Sequence, residues 1–123
     1  MINMSKKILV IDDDIDILTI LEIILGDEGF ELELRQKGLS SEEVNIIHPD
    51  LILLDVRIRG FAKSGVEICT EFKSDTNTAH IPVLLVSSEN NLDSLARNCG
   101  ADGFVNKPFD FERIIKKVRE FVY

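Results

Sequence analysis

The chain has 123 residues, 45% of them hydrophobic, which is enough for one buried core, so we expect a single domain over residues 1–123. Its 22 acidic and 14 basic residues give a net charge of -8, which disfavours a surface that neutralises nucleic-acid phosphates. No apolar run reaches the roughly 18 residues of a membrane span, and the N-terminus is not typical of a signal peptide, so we expect a cytosolic protein without membrane contacts.

Five short segments predict β-strands. Residues 8–11, 51–54 and 83–86 are continuous apolar runs without alternation, as in strands buried on both faces of a parallel sheet. Weaker strands are predicted at residues 30–35 and 103–105. Segments with helical periodicity separate the strands, and this alternation predicts an open α/β sandwich with helices on both faces of the sheet.

Capping residues indicate where helices begin. Asp14 is typical of the N-cap of a helix that we expect to close at Gly26. The pairs Ser40–Glu43 and Ser64–Glu67 have the spacing of capping boxes.

The last predicted helix follows Asp110 and has one apolar stripe with three- and four-residue steps. The stripe consists of Phe111, Ile114, Ile115, Val118, Phe121 and Val122. The polar side of the helix consists of Lys116, Lys117, Arg119 and Glu120.

The cysteines and histidines do not indicate a metal or redox site. Cys69 and Cys99 fall in separate predicted helices without a second pair, so we expect free thiols facing the core. His48 and His80 lie near prolines in predicted helix-to-strand connections. We interpret both as loop residues.

Polar residues follow four of the predicted strands, at the edge of the sheet where ligands bind in open α/β folds. They are Asp12, Asp13 and Asp14 after the first strand, Asp55 after the third, Ser87 and Ser88 after the fourth, and Lys107 after the fifth.

This combination predicts a cation site. Carboxylates packed closely repel one another unless a cation neutralises them. Mg²⁺ takes one or two carboxylates, keeps several waters and accepts a phosphoryl oxygen, which fits Asp13 and Asp55 with Asp12 in support. Lys107 would add a movable positive charge and Ser87 a hydroxyl. For Asp14 taken alone, a role as a helix cap is as good an explanation as a role in this site.

In order, the segments KILVIDD, LILLD, PVLLVS and GADGFVNKPFD resemble the receiver domain of two-component response regulators, of the CheY-like type, over nearly the whole chain. The resemblance implies a flavodoxin-like, doubly wound (βα)5 sandwich with a five-stranded parallel sheet in the order 2-1-3-4-5. It also implies a phosphoacceptor that catalyses its own phosphotransfer and dephosphorylation, rather than an enzyme in the usual sense.

The resemblance assigns roles to individual residues. Asp55 would be the phosphoacceptor, and Asp12, Asp13, Asp55 and the main-chain carbonyl of Arg57 would hold Mg²⁺, for which Mn²⁺ could substitute. Ser87 and Lys107 would match the family's hydroxyl and lysine positions. Phe104 would be the aromatic switch residue, and the peptide bond from Lys107 to Pro108 would be cis.

The resemblance also implies partners. A sensor histidine kinase or phosphotransfer protein would donate the phosphoryl group, and a downstream protein would bind the fourth helix, fifth strand and fifth helix, roughly residues 92–122. We expect a monomer or weak homodimer and no direct nucleic-acid contact. Nothing after Tyr123 indicates an output domain, so the chain is either a stand-alone regulator or a receiver cut from a longer protein.

The loop DVRIRGFAKSG departs from the family pattern. Arg59 replaces the usual proline and Gly65 comes two residues late, so we expect a longer, more basic loop. Ser88 replaces a small apolar residue, and we expect it to hinder access to the site or slow transfer. Arg57 and Glu89 each lie two positions beyond a site residue. We hypothesise that they meet across the mouth of the site and restrict water.

Three alternatives compete with a working receiver. Asp12 and Asp14 imitate the acids of a haloacid-dehalogenase-type phosphatase, although that enzyme needs a further acidic pair. Asp12, Asp14 and Asp16 imitate a calcium loop, but Ile17 and Ile23 occupy the places of its glycine and glutamate. A receiver fold retained only as a phosphate-independent protein-interaction module stays open.

Overall fold

The computed structural model describes residues 5–123, in which strands and helices alternate five times. The elements are β1 (Lys7–Ile11), α1 (Ile15–Asp27), β2 (Glu31–Arg35), α2 (Ser41–Ile47), β3 (Leu51–Leu54), α3 (Gly65–Ser74), β4 (Val83–Ser87), α4 (Leu92–Cys99), β5 (Gly103–Asn106) and α5 (Phe111–Arg119).

The five strands form one parallel sheet in the order β2-β1-β3-β4-β5. This is the predicted flavodoxin-like fold, and the predicted strand order is confirmed. All five strands point the same way, so their carboxyl ends meet at one edge. The strand order reverses between β1 and β3, which is where ligands bind in sheets of this kind.

Alternating strand residues supply two cores, one on each face of the sheet. Leu9 and Ile11 of β1 face the helices α2, α3 and α4, where Phe72 is fully buried. Ile8 and Val10 face α1 and α5. The continuous apolar runs of the central strands follow from this burial on both sides.

The helix starts agree with the capping residues. The Asp14 side chain accepts a hydrogen bond from the backbone N–H of Asp16, and both predicted capping boxes are formed, at Ser40 and at Ser64. The predicted end of the first helix was wrong. Helix α1 continues through Gly26 to Asp27, because the residue with left-handed backbone (φ 96°) that ends the turn is Gly29.

The last helix is shorter and less apolar than its sequence stripe predicts. It ends at Arg119, and although Ile114 and Val118 are fully buried, the Phe111 side chain is 55% exposed. Phe111 is the first residue of α5 and lines a surface groove beside Ile17 and Ile20 of α1. It therefore lies outside the core between the helix and the sheet.

The strand boundaries that differ from the prediction differ by one residue each. Strand β2 begins at Glu31, one residue later than expected, because Phe30 packs into the core before the ladder starts. Strands β4 and β5 extend to Ser87 and Asn106, which pair with each other. The pair of Ser87 and Asn106 extends the sheet by one residue toward its polar edge.

The cysteines and histidines lie where the sequence predicts. Cys69 and Cys99 are free and buried, and the Cys69 thiol donates to the Cys99 carbonyl over 3.4 Å. His48 and His80 are exposed in connections. Within residues 5–123, no helix combines the length and hydrophobicity needed to cross a bilayer.

Candidate functional site

Backbone hydrogen bonds hold the predicted site residues just past the ends of their strands. The Asp12 N–H donates to the Arg35 carbonyl over 3.0 Å, and the Asp55 N–H donates to the Ile11 carbonyl over 3.0 Å. The Lys107 N–H donates to the Ser87 carbonyl over 2.9 Å. Each bond continues a ladder of the sheet by one step, so the four strands align these residues along one rim.

The Lys107 ammonium group connects two carboxylates. Its Nζ lies 2.7 Å from Asp12 Oδ2 and 3.0 Å from Asp55 Oδ2. Its side chain is 16% exposed, against 3% for Asp12 and 10% for Asp55. These are charge-assisted hydrogen bonds in a mostly buried setting, where they are stronger than at the surface.

The other oxygens of both carboxylates accept backbone hydrogen bonds. Asp12 Oδ1 accepts from the Asp14 N–H over 2.9 Å, and Asp55 Oδ1 accepts from the Val56 N–H over 2.7 Å. In the described part of the chain, every buried side-chain nitrogen or oxygen has a hydrogen-bond partner. The two carboxylates are therefore held in one orientation before any ligand arrives.

The site is nevertheless short of positive charge. Burial raises the pKa of Asp12, and the neighbouring Asp55 raises it further, against the lowering effect of Lys107. Burial alone would lower the pKa of Lys107, but its two carboxylate partners raise it. One ammonium group thus contacts two carboxyl groups, with a third acid, Asp13, beside them.

A metal ion fits this arrangement. Asp12, Asp13 and Asp55 can each turn one carboxylate oxygen toward a common point, with these oxygens within 4.8 Å of one another. The donors are all oxygens, which suit hard divalent cations such as Mg²⁺ and Mn²⁺ rather than Zn²⁺. A divalent cation would also offset the excess negative charge.

Asp13 has a partner that the sequence did not predict. Its Oδ2 accepts hydrogen bonds from the backbone N–H of Arg59 over 3.1 Å and from the Arg59 Nε over 3.0 Å. Burial raises the pKa of Asp13, but these contacts outweigh it and hold the pKa below its ordinary value. The sequence feature that could have indicated this contact is Arg59 itself, which stands in place of the usual proline in a loop close to three acidic residues.

Arg57, Ser87, Ser88 and Glu89 surround the mouth of a cleft of about 320 Å³ at this rim. The side chains of Arg57 and Glu89 form an ion pair, so the predicted contact between them is present. Ser87 is buried, and its Oγ accepts from the Glu89 N–H over 3.4 Å. Ser88 is exposed beside the cleft.

A family model described as the response regulator receiver domain matches residues 8–119. The chain belongs to the response regulator receiver domain family. The DNA-binding response regulator MtrA of Mycobacterium bovis is 30% identical over 120 residues, covering 95% of this chain and 50% of MtrA. The DNA-binding dual master transcriptional regulator RpaA of Synechocystis is 31% identical over 116 residues, covering 92% and 47%. This receiver thus spans about half the length of these curated relatives.

Solved structures agree with the family. The receiver domain of NtrX from Brucella abortus is 30% identical with a TM-score of 0.81, and the match covers 94% of this chain and 97% of that receiver domain. The chemotaxis protein CheY4 of Vibrio cholerae has a TM-score of 0.79 at 23% identity, covering 96% and 99%, and this similarity shows the fold alone. The chain is therefore a receiver domain of a two-component response regulator.

Asp14 lines the same cleft, but its carboxylate is not one of the three that converge on a common point. Its exposed side chain caps α1, and residues 15–27 form a helix rather than an ion-binding loop. The calcium-loop alternative is therefore wrong. The family match removes the phosphatase alternative, which also needed Asp14 as an acid.

Phe104 and Ser87 share one face of the sheet. Phe104 pairs with Leu85, and Ser87 pairs with Asn106 two residues further along. Leu85 and Phe104 both pack in the core under α3 and α4. Because side chains two residues apart on a strand point the same way, Ser87 also faces this side. The peptide bond from Lys107 to Pro108 is cis, as the resemblance implies.

Gly65 supports the phosphoacceptor position from behind. A Cβ at Gly65 would lie 1.9 Å from the carbonyl oxygen of Asp55 and 2.9 Å from the Cα of Val56. The Gly65 N–H also donates to the Val56 carbonyl over 2.7 Å. The start of α3 therefore packs directly against the backbone that carries Asp55, a role that sequence reasoning missed.

We predict that Gly65→Ala displaces Asp55 and destabilises the receiver. Overpacking of this kind typically costs about 1–3 kcal/mol, and backbone atoms are less able to move away than side chains. Gly26→Ala is the matched control, because a Cβ there meets nothing within 4 Å and lies inside α1. It should stabilise the protein by up to about 1 kcal/mol. Chemical denaturation of both variants tests this, and equal stabilities would contradict it.

Proposed function

We propose that this chain is a phosphoacceptor signalling domain in which Asp55 receives a phosphoryl group from a phosphohistidine in a Mg²⁺-dependent reaction. The observation that carries the proposal is the Lys107 ammonium group between Asp12 and Asp55, beside Asp13, at the carboxyl edge of the sheet. The donor would be a sensor histidine kinase or a phosphotransfer protein.

The chemistry follows from the positions of the charges. A carboxylate oxygen of Asp55 attacks the phosphorus, the P–N bond to the imidazole breaks, and its electron pair stays on the ring nitrogen. Lys107 is within hydrogen-bond distance of Asp55 Oδ2 and can stabilise negative charge on the transferred group. Backbone donation from Val56 to Asp55 Oδ1 orients the nucleophile.

Mg²⁺ would be held by carboxylate oxygens of Asp12, Asp13 and Asp55 and by the main-chain carbonyl oxygen of Arg57. When bound, the ion supplies positive charge to the phosphoryl oxygens. Mn²⁺ could substitute, since both ions prefer oxygen ligands.

Phosphorylation would change a surface of the protein through Ser87 and Phe104. The Ser87 hydroxyl turns toward the phosphoryl group, and Phe104 turns inward into the space that Ser87 leaves. Their common face of the sheet, next to α4, supports this coupling. The affected surface comprises α4, β5 and α5 and would bind the downstream protein partner.

The DNA binding of the curated relatives is not assigned to this chain. MtrA and RpaA are named as DNA-binding, but the matched part is about half of each protein. With a net charge of -8, this chain is proposed to contact proteins rather than nucleic acid or membranes. We further propose that it works in the cytoplasm as a monomer or weak homodimer.

Intact mass after incubation with acetyl phosphate and Mg²⁺ tests the proposal. Wild type should gain one phosphoryl group, and the gain should disappear when a chelator is added. Asp55→Asn should gain none, because an amide is a poor nucleophile. Asp27→Asn is the matched control, an exposed aspartate at the end of α1 that should behave as wild type.

Failure of wild type to gain phosphate, with its fold verified by circular dichroism, would contradict the proposal. It would favour the phosphate-independent protein-interaction module. The ion pair between Arg59 and Asp13 is the observation that supports this second candidate, because it engages one oxygen of a carboxylate that would hold the metal.

We predict that the ion pair of Arg57 and Glu89 slows loss of the phosphoryl group by restricting water at the cleft. Arg57→Ala and Glu89→Ala should each accelerate dephosphorylation. The Arg57 side chain is 83% exposed, so we expect only about a two- to fivefold effect, as for a surface ion pair. The decay of the phosphorylated mass after removal of acetyl phosphate measures the rate.

A second exposed ion pair in the same loop provides the control. Lys63 contacts Glu71 of α3, away from the cleft. Lys63→Ala should leave the decay rate unchanged. If the Arg57 and Glu89 variants also decay at the wild-type rate, the pair does not restrict water.

A further inference from the structure

Arg59 reaches from the loop between β3 and α3 onto the acidic rim. Its side chain is 91% exposed, whereas that of its partner Asp13 is 14% exposed. Two donors of Arg59, the backbone N–H and Nε, converge on the single oxygen Oδ2 of Asp13. The arginine therefore places a positive charge directly on a carboxylate of the acidic cluster.

The loop backbone supports this contact. Ile58, the preceding residue, is buried at 5% exposure, and Gly60, the following residue, has a left-handed backbone with φ 79°. The Phe61 N–H donates to the Ile58 carbonyl over 3.3 Å and closes the turn around Arg59. An anchored residue and a closed turn thus present the Arg59 N–H to Asp13, and the guanidinium group adds a second bond.

A metal ion and the Arg59 guanidinium group have opposing requirements at Asp13. A divalent cation bound by this carboxylate would lie beside the positive charge of Arg59. The cation would also compete with the two hydrogen bonds that Asp13 Oδ2 accepts from Arg59. Lys107 contacts the other two proposed ligands, Asp12 and Asp55, so the positive charge in contact with Asp13 is that of Arg59.

We propose that Arg59 is an internal counter-ion that competes with the divalent metal for Asp13, so that metal binding requires the Arg59 side chain to leave the rim. This inference rests on the proposed metal site. The competition is reciprocal by linkage: the arginine weakens metal binding, and the metal releases the arginine. Metal binding would thereby free the Arg59 side chain.

Titration with Mn²⁺ tests the proposal, with the free ion followed by its electron paramagnetic resonance signal. Arg59→Ala should bind Mn²⁺ about three- to tenfold more tightly than wild type, the range expected for losing one surface ion pair and one nearby like charge. Lys63→Ala removes a positive charge from the same loop that contacts Glu71 instead. Its affinity should stay within about twofold of wild type, because salt screens distant charges.

A second readout follows the arginine itself. The Nε–H proton of Arg59 should exchange slowly in the metal-free protein, where it donates to Asp13, and faster when Mg²⁺ saturates the site. Unchanged exchange with Mg²⁺ bound would overturn the proposal. So would an Arg59→Ala affinity equal to that of wild type.

Asp13→Asn separates this inference from the metal site on which it rests. If Asp13→Asn weakens Mn²⁺ binding by at least about tenfold, as loss of a ligand should, while Arg59→Ala changes nothing, the site stands and the competition is refuted. If Asp13→Asn binds like wild type, or if neither wild type nor Arg59→Ala binds, the metal site and the competition are both refuted.

Discussion

The ion pairs from Lys107 to Asp12 and Asp55 hold together the end of the sheet on which the rest of the site depends. They join residues that follow β1, β3 and β5, and each carboxylate is further held by a backbone N–H. Burial raises the pKa of Asp12 above its unfolded value, so this group lowers the stability of the fold as the pH rises from the unfolded pKa through the folded pKa. A site with this excess of negative charge is suited to a divalent cation and then to an incoming phosphoryl group.

The parallel sheet links the acidic rim to the residues proposed to switch. Four strand ends meet at the rim, while Ser87 and Phe104 lie on the face that packs against α4. A change of charge at Asp55, at the end of β3, is therefore one strand away from Ser87 on β4 and two strands away from Phe104 on β5. Gly65 fixes the other side, because the start of α3 touches the Asp55 backbone. The site is thus supported from the sheet and from the start of helix α3.

The sequence predicted the parts of this account that depend on local patterns. A strand buried on both faces reads as a continuous apolar run, so Asp12 and Asp55 could be placed at strand ends and hence beside each other. Periodicity shows which residues share a helix face, but not whether all of that face is covered by the sheet. Phe111 was therefore expected to be buried, whereas its side chain is exposed. The contact between Arg59 and Asp13 joins residues 46 positions apart. It depends on the turn around Ile58 and Gly60, whose conformation no pattern in the sequence indicates.

The location of a bound divalent ion tests the central claim most directly. Mn²⁺ broadens the NMR signals of nearby amides, so substoichiometric Mn²⁺ reports where the ion binds. The account predicts that amides at residues 12–14, 55–59 and 87–89 are broadened first, and that Asp13→Asn weakens the effect. Broadening centred on surface acids elsewhere, such as Glu42 of α2 or Glu112 of α5, would contradict it, as would a spectrum that Mn²⁺ leaves unchanged.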